Sequence, residues 1–185
     1  MREIAFFSTV SLLAILTLGG GVFAQQGVAT SGELRFTAPS EWIKEQPSSK
    51  MRAAQYKLPK AEGDKEDATL VIYYFGASLG GSVADNIERW IGQMQQPDGS
   101  PSRDKAKTDA LTVNGLKIST VDLTGTYTAE MAPGSSEHHN DANYRLRAAV
   151  IETPKGFYYL KLVGPTKTID RWGETIDKFV RSFRV

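Results

Sequence analysis

Several groups of side chains have types and spacings that could do chemistry. Asn86, Arg89 and Gln93 stand at i, i+3 and i+7 and share one side of a helical stretch, next to Trp90. Arg89 could grip a carboxylate and Trp90 could stack on a ligand or partner. The competing reading is a solvated helix edge beside a core tryptophan. Arg145, Arg147 and Lys161 interrupt two otherwise apolar runs. If the Pro154–Gly156 turn closes a simple hairpin, Arg147 and Lys161 are expected to meet on one face of a sheet. There they could hold an anionic ligand, pair with Asp122, or guard an exposed face; the last two together are preferred.

Two further stretches invite chemistry and lose it on inspection. Gly76-Ala77-Ser78-Leu79-Gly80-Gly81-Ser82 joins a strand to a helix, as phosphate loops do, and N–H groups at a helix start attract anions. Ser82 stands where a nucleotide-binding loop needs lysine. A turn followed by an N-cap is the reading, and nucleotide hydrolysis is rejected. His138 and His139, the two histidines of the chain, are flanked by Glu137 and Asp141, a donor set that suits a transition metal. Adjacent side chains on an extended loop diverge, however, and no second cluster supplies the three or four ligands a stable site needs. An exposed polar loop is expected, with no metal and no other cofactor.

The 185 residues contain no cysteine, which excludes disulfides, thiolate nucleophiles, Cys-ligated zinc and a lipid-modified N-terminal cysteine. Gly76-Ala77-Ser78-Leu79-Gly80 has the Gly-x-Ser-x-Gly spacing of a nucleophile elbow, but both histidines fall in one expected loop, so nucleophilic catalysis has poor support. A carboxylate pair leaves no trace in a sequence, so a hydrolase with a carboxylate site stays open as a third reading behind two non-catalytic ones. A net charge of +1 makes no electrostatic case for nucleic acid or an anionic membrane.

The elements that must position these residues are centred on 68–76. From Leu70 to Phe75 every residue is apolar or aromatic, so this strand is expected in the middle of a sheet, covered on both faces. Ser82 caps the helix that follows, with Asp85 completing a capping-box-like pair. Val83, Ile87, Trp90, Ile91 and Met94 form its apolar stripe, which predicts a helix over 82–95. Before it, strands are expected at 34–38 and 51–58, separated by a turn at Pro39-Ser40-Glu41-Trp42 that tucks an indole against the sheet. The charged run 60–67 reads as a solvated connection. After the helix come a surface loop over 96–109 and a hairpin at Asn114-Gly115, whose residues suit the positive φ of a type I′ turn. A long strand to about 128, a loop over 129–142, strands at 144–152 and 157–163, and a C-terminal helix complete the order. That helix carries Ile169, Trp172, Ile176, Phe179, Val180 and Phe183 on one face, and Glu174–Lys178 and Asp177–Arg181 are spaced as i,i+4 ion pairs. Short hairpins imply antiparallel pairing, hence an α+β fold: an antiparallel sheet covered by amphipathic helices.

Residues 1–24 read as a signal peptide. Arg2 begins it, an apolar core runs from Ile4 to Leu18, and Val22-Phe23-Ala24 offers small residues before a cut ahead of Gln25. Residues 25–32 are a polar lead-in, and 33–185 form one domain. The mature chain is expected in the periplasm or outside the cell, with no stable membrane insertion once the leader is removed.

The element order, with Pro39-Ser40-Glu41-Trp42 after the first strand and an amphipathic C-terminal helix, resembles the PsbP-like α/β/α sandwich. That superfamily includes the extrinsic photosystem II subunit and related small binding proteins. Tyr73-Tyr74-Phe75-Gly76, Gly80-Gly81-Ser82-Val83, Asn86-Ile87-Glu88-Arg89-Trp90 and Gln93 resemble segments of uncharacterised exported bacterial proteins. Gly125-Thr126-Tyr127 and Lys161-Leu162-Val163-Gly164-Pro165 are similar too, so the likeness spans roughly 33 to 184. The resemblance implies no catalytic residues; it implies binding or assembly outside the cytoplasm. The function expected is a non-catalytic binding or assembly module of the bacterial envelope. Its partner is expected to be an envelope protein meeting the helix edge or the sheet around Tyr127, Tyr144 and Arg147. The alternative is a carrier of a small ligand or metal, using a pocket between sheet and helix. The binding residues expected are Asn86, Arg89, Trp90, Gln93, Arg147 and Lys161.

Overall fold

The computed structural model describes residues 34–77 and 79–185, so the expected signal peptide over 1–24 and the expected lead-in over 25–32 lie outside the described residues. Eight strands form one antiparallel sheet: β1 (Ile43–Lys44), β2 (Arg52–Leu58), β3 (Ala68–Tyr74), β4 (Met94–Gln95), β5 (Lys107–Val113), β6 (Leu116–Tyr127), β7 (Asp141–Thr153) and β8 (Gly156–Pro165). The spatial order is β1-β2-β3-β8-β7-β6-β4, and β5 pairs with the first part of β6 on the same edge as β4. The expected central strand lies well inside the sheet. Leu70 and Ile72 are buried on one face of β3 and Val71 on the other, which explains its unbroken apolar run.

Helix α1 (Val83–Ile91) covers one face, where Trp90, Ile91 and Met94 pack on Val121, Leu123, Leu146, Val150 and Tyr159. The other face carries the C-terminal helices α3 (Thr166–Arg171) and α4 (Gly173–Arg181). Phe179 sits at the centre of that core, its ring edge-on to Phe36, Trp42 and Phe183 at 5.4, 5.0 and 5.1 Å. The indole of Trp42 is tucked against the sheet as expected. Asn114 and Gly115 both have positive φ, 49° and 83°, as a type I′ hairpin demands.

The differences from expectation have local causes. Segment 34–38 forms no strand; a single bridge joins Arg35 to Arg184, because Leu34 and Phe36 are held by burial rather than by a sheet neighbour. The helix expected over 82–95 stops at Gly92, and Met94–Gln95 pair with β6 instead. The loop expected over 96–109 contains the short helix α2 (Ser102–Lys105) and the start of β5. The C-terminal helix breaks at Trp172, where φ −93° and ψ 4° leave the helical region and the buried indole N–H donates to the Pro59 carbonyl at 2.9 Å. The charged run 60–67 is tied down as well as solvated. Asp64 Oδ2 accepts from the Thr168 N–H at 2.9 Å and its hydroxyl at 2.6 Å, which satisfies the start of α3.

Candidate functional site

Register decides which charges meet. Thr153 stands opposite Gly156, so Arg147 pairs with Leu162 and Lys161 with Ala148. Side chains of paired residues share a face, and neighbours along a strand point to opposite faces. Arg147 and Lys161 therefore lie on opposite faces of the sheet, correcting the expectation that they meet.

Arg147 faces α4 and is spent on structure. Its guanidinium donates to Asp177 at 2.6 Å and approaches Asp122 at 3.7 Å. Arg145 beside it grips Asp122, with Nε to Oδ1 at 2.8 Å, and also bonds Asp170. Asp122 is thus paired by the arginines, as preferred, and not by Lys161. Asp177 faces Arg147, a tertiary contact that ties α4 to the sheet.

Lys161 lies half-buried on the α1 face. Its Nζ donates to Gln93 Oε1 at 2.7 Å and to the Tyr127 hydroxyl at 2.8 Å. Burial, and then the nearby Arg89 guanidinium, push the ammonium down to about 8. Burial likewise raises the Tyr127 hydroxyl to about 12, with Tyr73 and Asp141 adding to it. These residues line an open cleft of about 720 Å³. Arg89 and Gln93 line it from α1 and the turn after it, Tyr73 from β3, and His138, His139 and Asp141 from the chain leading into β7 and its start.

Of the six residues expected to bind, three line the cleft: Arg89, Gln93 and Lys161. Asn86 and Trp90 are buried behind it, each about 2% exposed. Asn86 shapes the site indirectly. Its Nδ2 donates to the Gly80 and Ser82 carbonyls at 2.7 and 2.8 Å, and its Oδ1 accepts from Arg89. Trp90 packs into the core, with the Arg89 guanidinium carbon 5.9 Å from its ring centre.

The turn before α1 has the N-cap expected of it: Asp85 N–H donates to Ser82 Oγ at 3.1 Å, and the Ser82 hydroxyl donates to Asp85 Oδ2 at 2.7 Å. Gly80 there has φ 109°, and a Cβ on it would stand 2.5 Å from the hydroxyl oxygen of buried Tyr159. Gly80→Ala is expected to cost about 2 kcal/mol from backbone strain plus overpacking, read as a lowered urea midpoint.

The two histidines line the cleft and have different partners. The His138 ring is bonded to the Thr128 carbonyl through Nδ1 at 3.0 Å, and His139 Nδ1 to Asp141 at 2.8 Å. Among the described residues no three of His, Cys, Asp and Glu come together as a metal would require. Among those residues, too, no helix is long and apolar enough to cross a membrane.

Compared with solved structures, the chain is similar to the solution structure of cyanobacterial PsbP (CyanoP) from Synechocystis sp. PCC 6803, at 15% identity and a TM-score of 0.50. The match covers 92% of this chain and 98% of that one. The fold is PsbP-like. A second structure, PA94 of Pseudomonas aeruginosa, a protein of unknown function, aligns at 13% identity with a TM-score of 0.49, over 79% of this chain and 98% of that one. No family model matches the sequence, and no curated protein matches it. The PsbP-like architecture carries no specific role with it.

Sequence reasoning missed Arg52, Tyr73 and Glu66 as cleft residues. Arg52 lies over the Tyr73 ring at 5.7 Å, and Glu66 accepts from the Tyr144 hydroxyl. Arg52 is placed by its pairing opposite Tyr73, while Glu66 precedes β3 and reaches Tyr144 of β7, so no local sequence pattern links either to the cleft. Tyr73 was hidden in a run that read as core.

Proposed function

We propose that the chain is an exported, non-catalytic binding module of the bacterial envelope, and that the cleft on the α1 face is its recognition site. One observation carries this reading: α1 and the turn after it, β6, β8 and the start of β7 all direct polar or aromatic side chains into one concavity. Its volume of about 720 Å³ falls within the range of small-ligand sites. A concave site with converging polar groups favours a small ligand, or a short segment of an envelope partner, over a flat protein face.

Binding without catalysis is supported by how the cleft carboxylates are used. Glu66 accepts from Tyr144, Asp67 from the Lys60 N–H, Glu130 from the Gly134 N–H, and Asp141 is bonded to His139. Each is engaged with a donor of the protein itself. Export rests on the leader over 1–24.

The test is native mass spectrometry of the chain isolated gently from the organism that makes it. A retained mass is expected, small for a ligand or large for a partner polypeptide, and Arg89→Ala is expected to reduce its occupancy. Because Arg89 is exposed, its melting temperature should stay within the shift of about 0.5 kcal/mol typical of a surface substitution. A bare monomer from both chains would contradict the proposal.

A further inference from the structure

Taking the cleft as the recognition site, we infer that it seats a compact oxyanion, a carboxylate or phosphate, between the Lys161 ammonium and the Arg89 guanidinium, beside the rings of Tyr73 and Tyr127. The two faces of the sheet supply the reason. On the α4 face each arginine that points inward is matched: Arg145 by Asp122 and Asp170, Arg147 by Asp122 and Asp177. On the α1 face the cations are left with neutral partners. Lys161 meets Gln93 and Tyr127, Arg89 meets Asn86, and neither joins an ion pair among the described residues.

A half-buried cation without a counter-ion is costly, so the arrangement is one that a ligand's charge would complete. The cleft's own acids do not do so, since each is engaged elsewhere, as described above. Two donors of the Lys161 ammonium are used within the protein, and an ammonium has three. Arg89 offers a planar fork suited to two oxygens of one anion. The closeness of two like charges, felt in the lowered proton affinity of Lys161, is relieved by an anion between them.

The test is titration of the labelled chain, followed in ¹H–¹⁵N spectra, with benzoate, phenylphosphate, benzyl alcohol and benzylamine. Benzoate or phenylphosphate is expected to shift the amides of residues 89–93, 127 and 160–162, and the tighter of the two identifies the anion. Lys161→Met and Arg89→Gln should each weaken that probe about tenfold or more, and Lys161→Arg should restore part of the loss. The spectra of the free variants show whether they fold. Equal binding of benzyl alcohol or benzylamine at the same amides would overturn the anion while leaving the cleft as a recognition site. No shift from either anion, in a chain that still retains a native ligand, would also overturn it. Anion shifts that persist unchanged in both Lys161→Met and Arg89→Gln would place the anion elsewhere and overturn it as well.

Discussion

Lys161→Met is expected to make the protein more stable at pH 7 while removing a principal ligand contact of the cleft. In the folded chain, burial and then Arg89 hold the amine at about 8, against its ordinary 10.5. Below pH 8 the amine is charged in both folded and unfolded chains, and the folded state bears the full cost of holding that charge out of water. Between 8 and 10.5 the unfolded chain binds more protons than the folded one, so wild-type stability rises with pH. Above 10.5 the amine is neutral in both states and the cost is gone. The groups facing it are Arg89 and Gln93 from the α1 side, Tyr127 from β6 and Tyr73 from β3, none of them an anion at pH 7. Methionine keeps the apolar stem and omits the charge. Because Lys161 still touches solvent, the shift is discounted, leaving a gain of about 1–2 kcal/mol below pH 8 that shrinks toward zero by pH 10.5. Urea denaturation at pH 7 and pH 10.5 measures it. A variant less stable at pH 7 would mean that the bonds to Gln93 and Tyr127 outweigh the buried charge.

The largest loss of stability is expected on the opposite face. Phe179→Ala should cost about 3–5 kcal/mol, the range for deleting a fully buried phenylalanine. Phe179 is 1% exposed and touches four other rings, those of Phe36, Trp42, Tyr56 and Phe183. These rings come from the N-terminal segment, the turn before β1, β2 and the C-terminus, so the void cannot close by moving one element. Urea denaturation measures the loss. Since α4 and the cleft lie on opposite faces, the folded fraction should bind the cleft's ligand with unchanged affinity. A loss of affinity equal to the loss of stability would couple the two faces.

The fold was legible in the sequence wherever local chemistry and apolar pattern agreed. Asn114-Gly115 specified a turn through positive φ, Ser82 and Asp85 specified a helix start, and the unbroken run of β3 specified a strand with two covered faces. Element ends were less legible, because tertiary contacts set them. Pairing with β6 takes Met94–Gln95 out of the helix, and the bond from Trp172 to Pro59 breaks the C-terminal one. The site was half legible. Arg89 and Gln93 follow from helical spacing, and Lys161 stood out as a charge in an apolar strand. Its face was misjudged by one residue of register, and a one-residue slip inverts a strand. The two-residue turn at Pro154-Lys155 held the answer, since Thr153 opposite Gly156 pairs Lys161 with Ala148. Trp90 was ambiguous for a different reason. A tryptophan at a helical i, i+3, i+4 position serves core and surface equally well, and only the cover it receives from Tyr159 and Val150 decides.

The most direct measurement is a ¹H–¹⁵N spectrum of the labelled chain, alone and in a soluble extract of the organism that makes it. A binding module that uses the cleft should show its shifted amides clustered at residues 89–94, 127–132, 138–144 and 160–164. Shifts clustered instead at 107–111 and 174–181, over α4 and the outer strand, would put recognition on the face where every inward arginine is already paired, and would contradict the cleft.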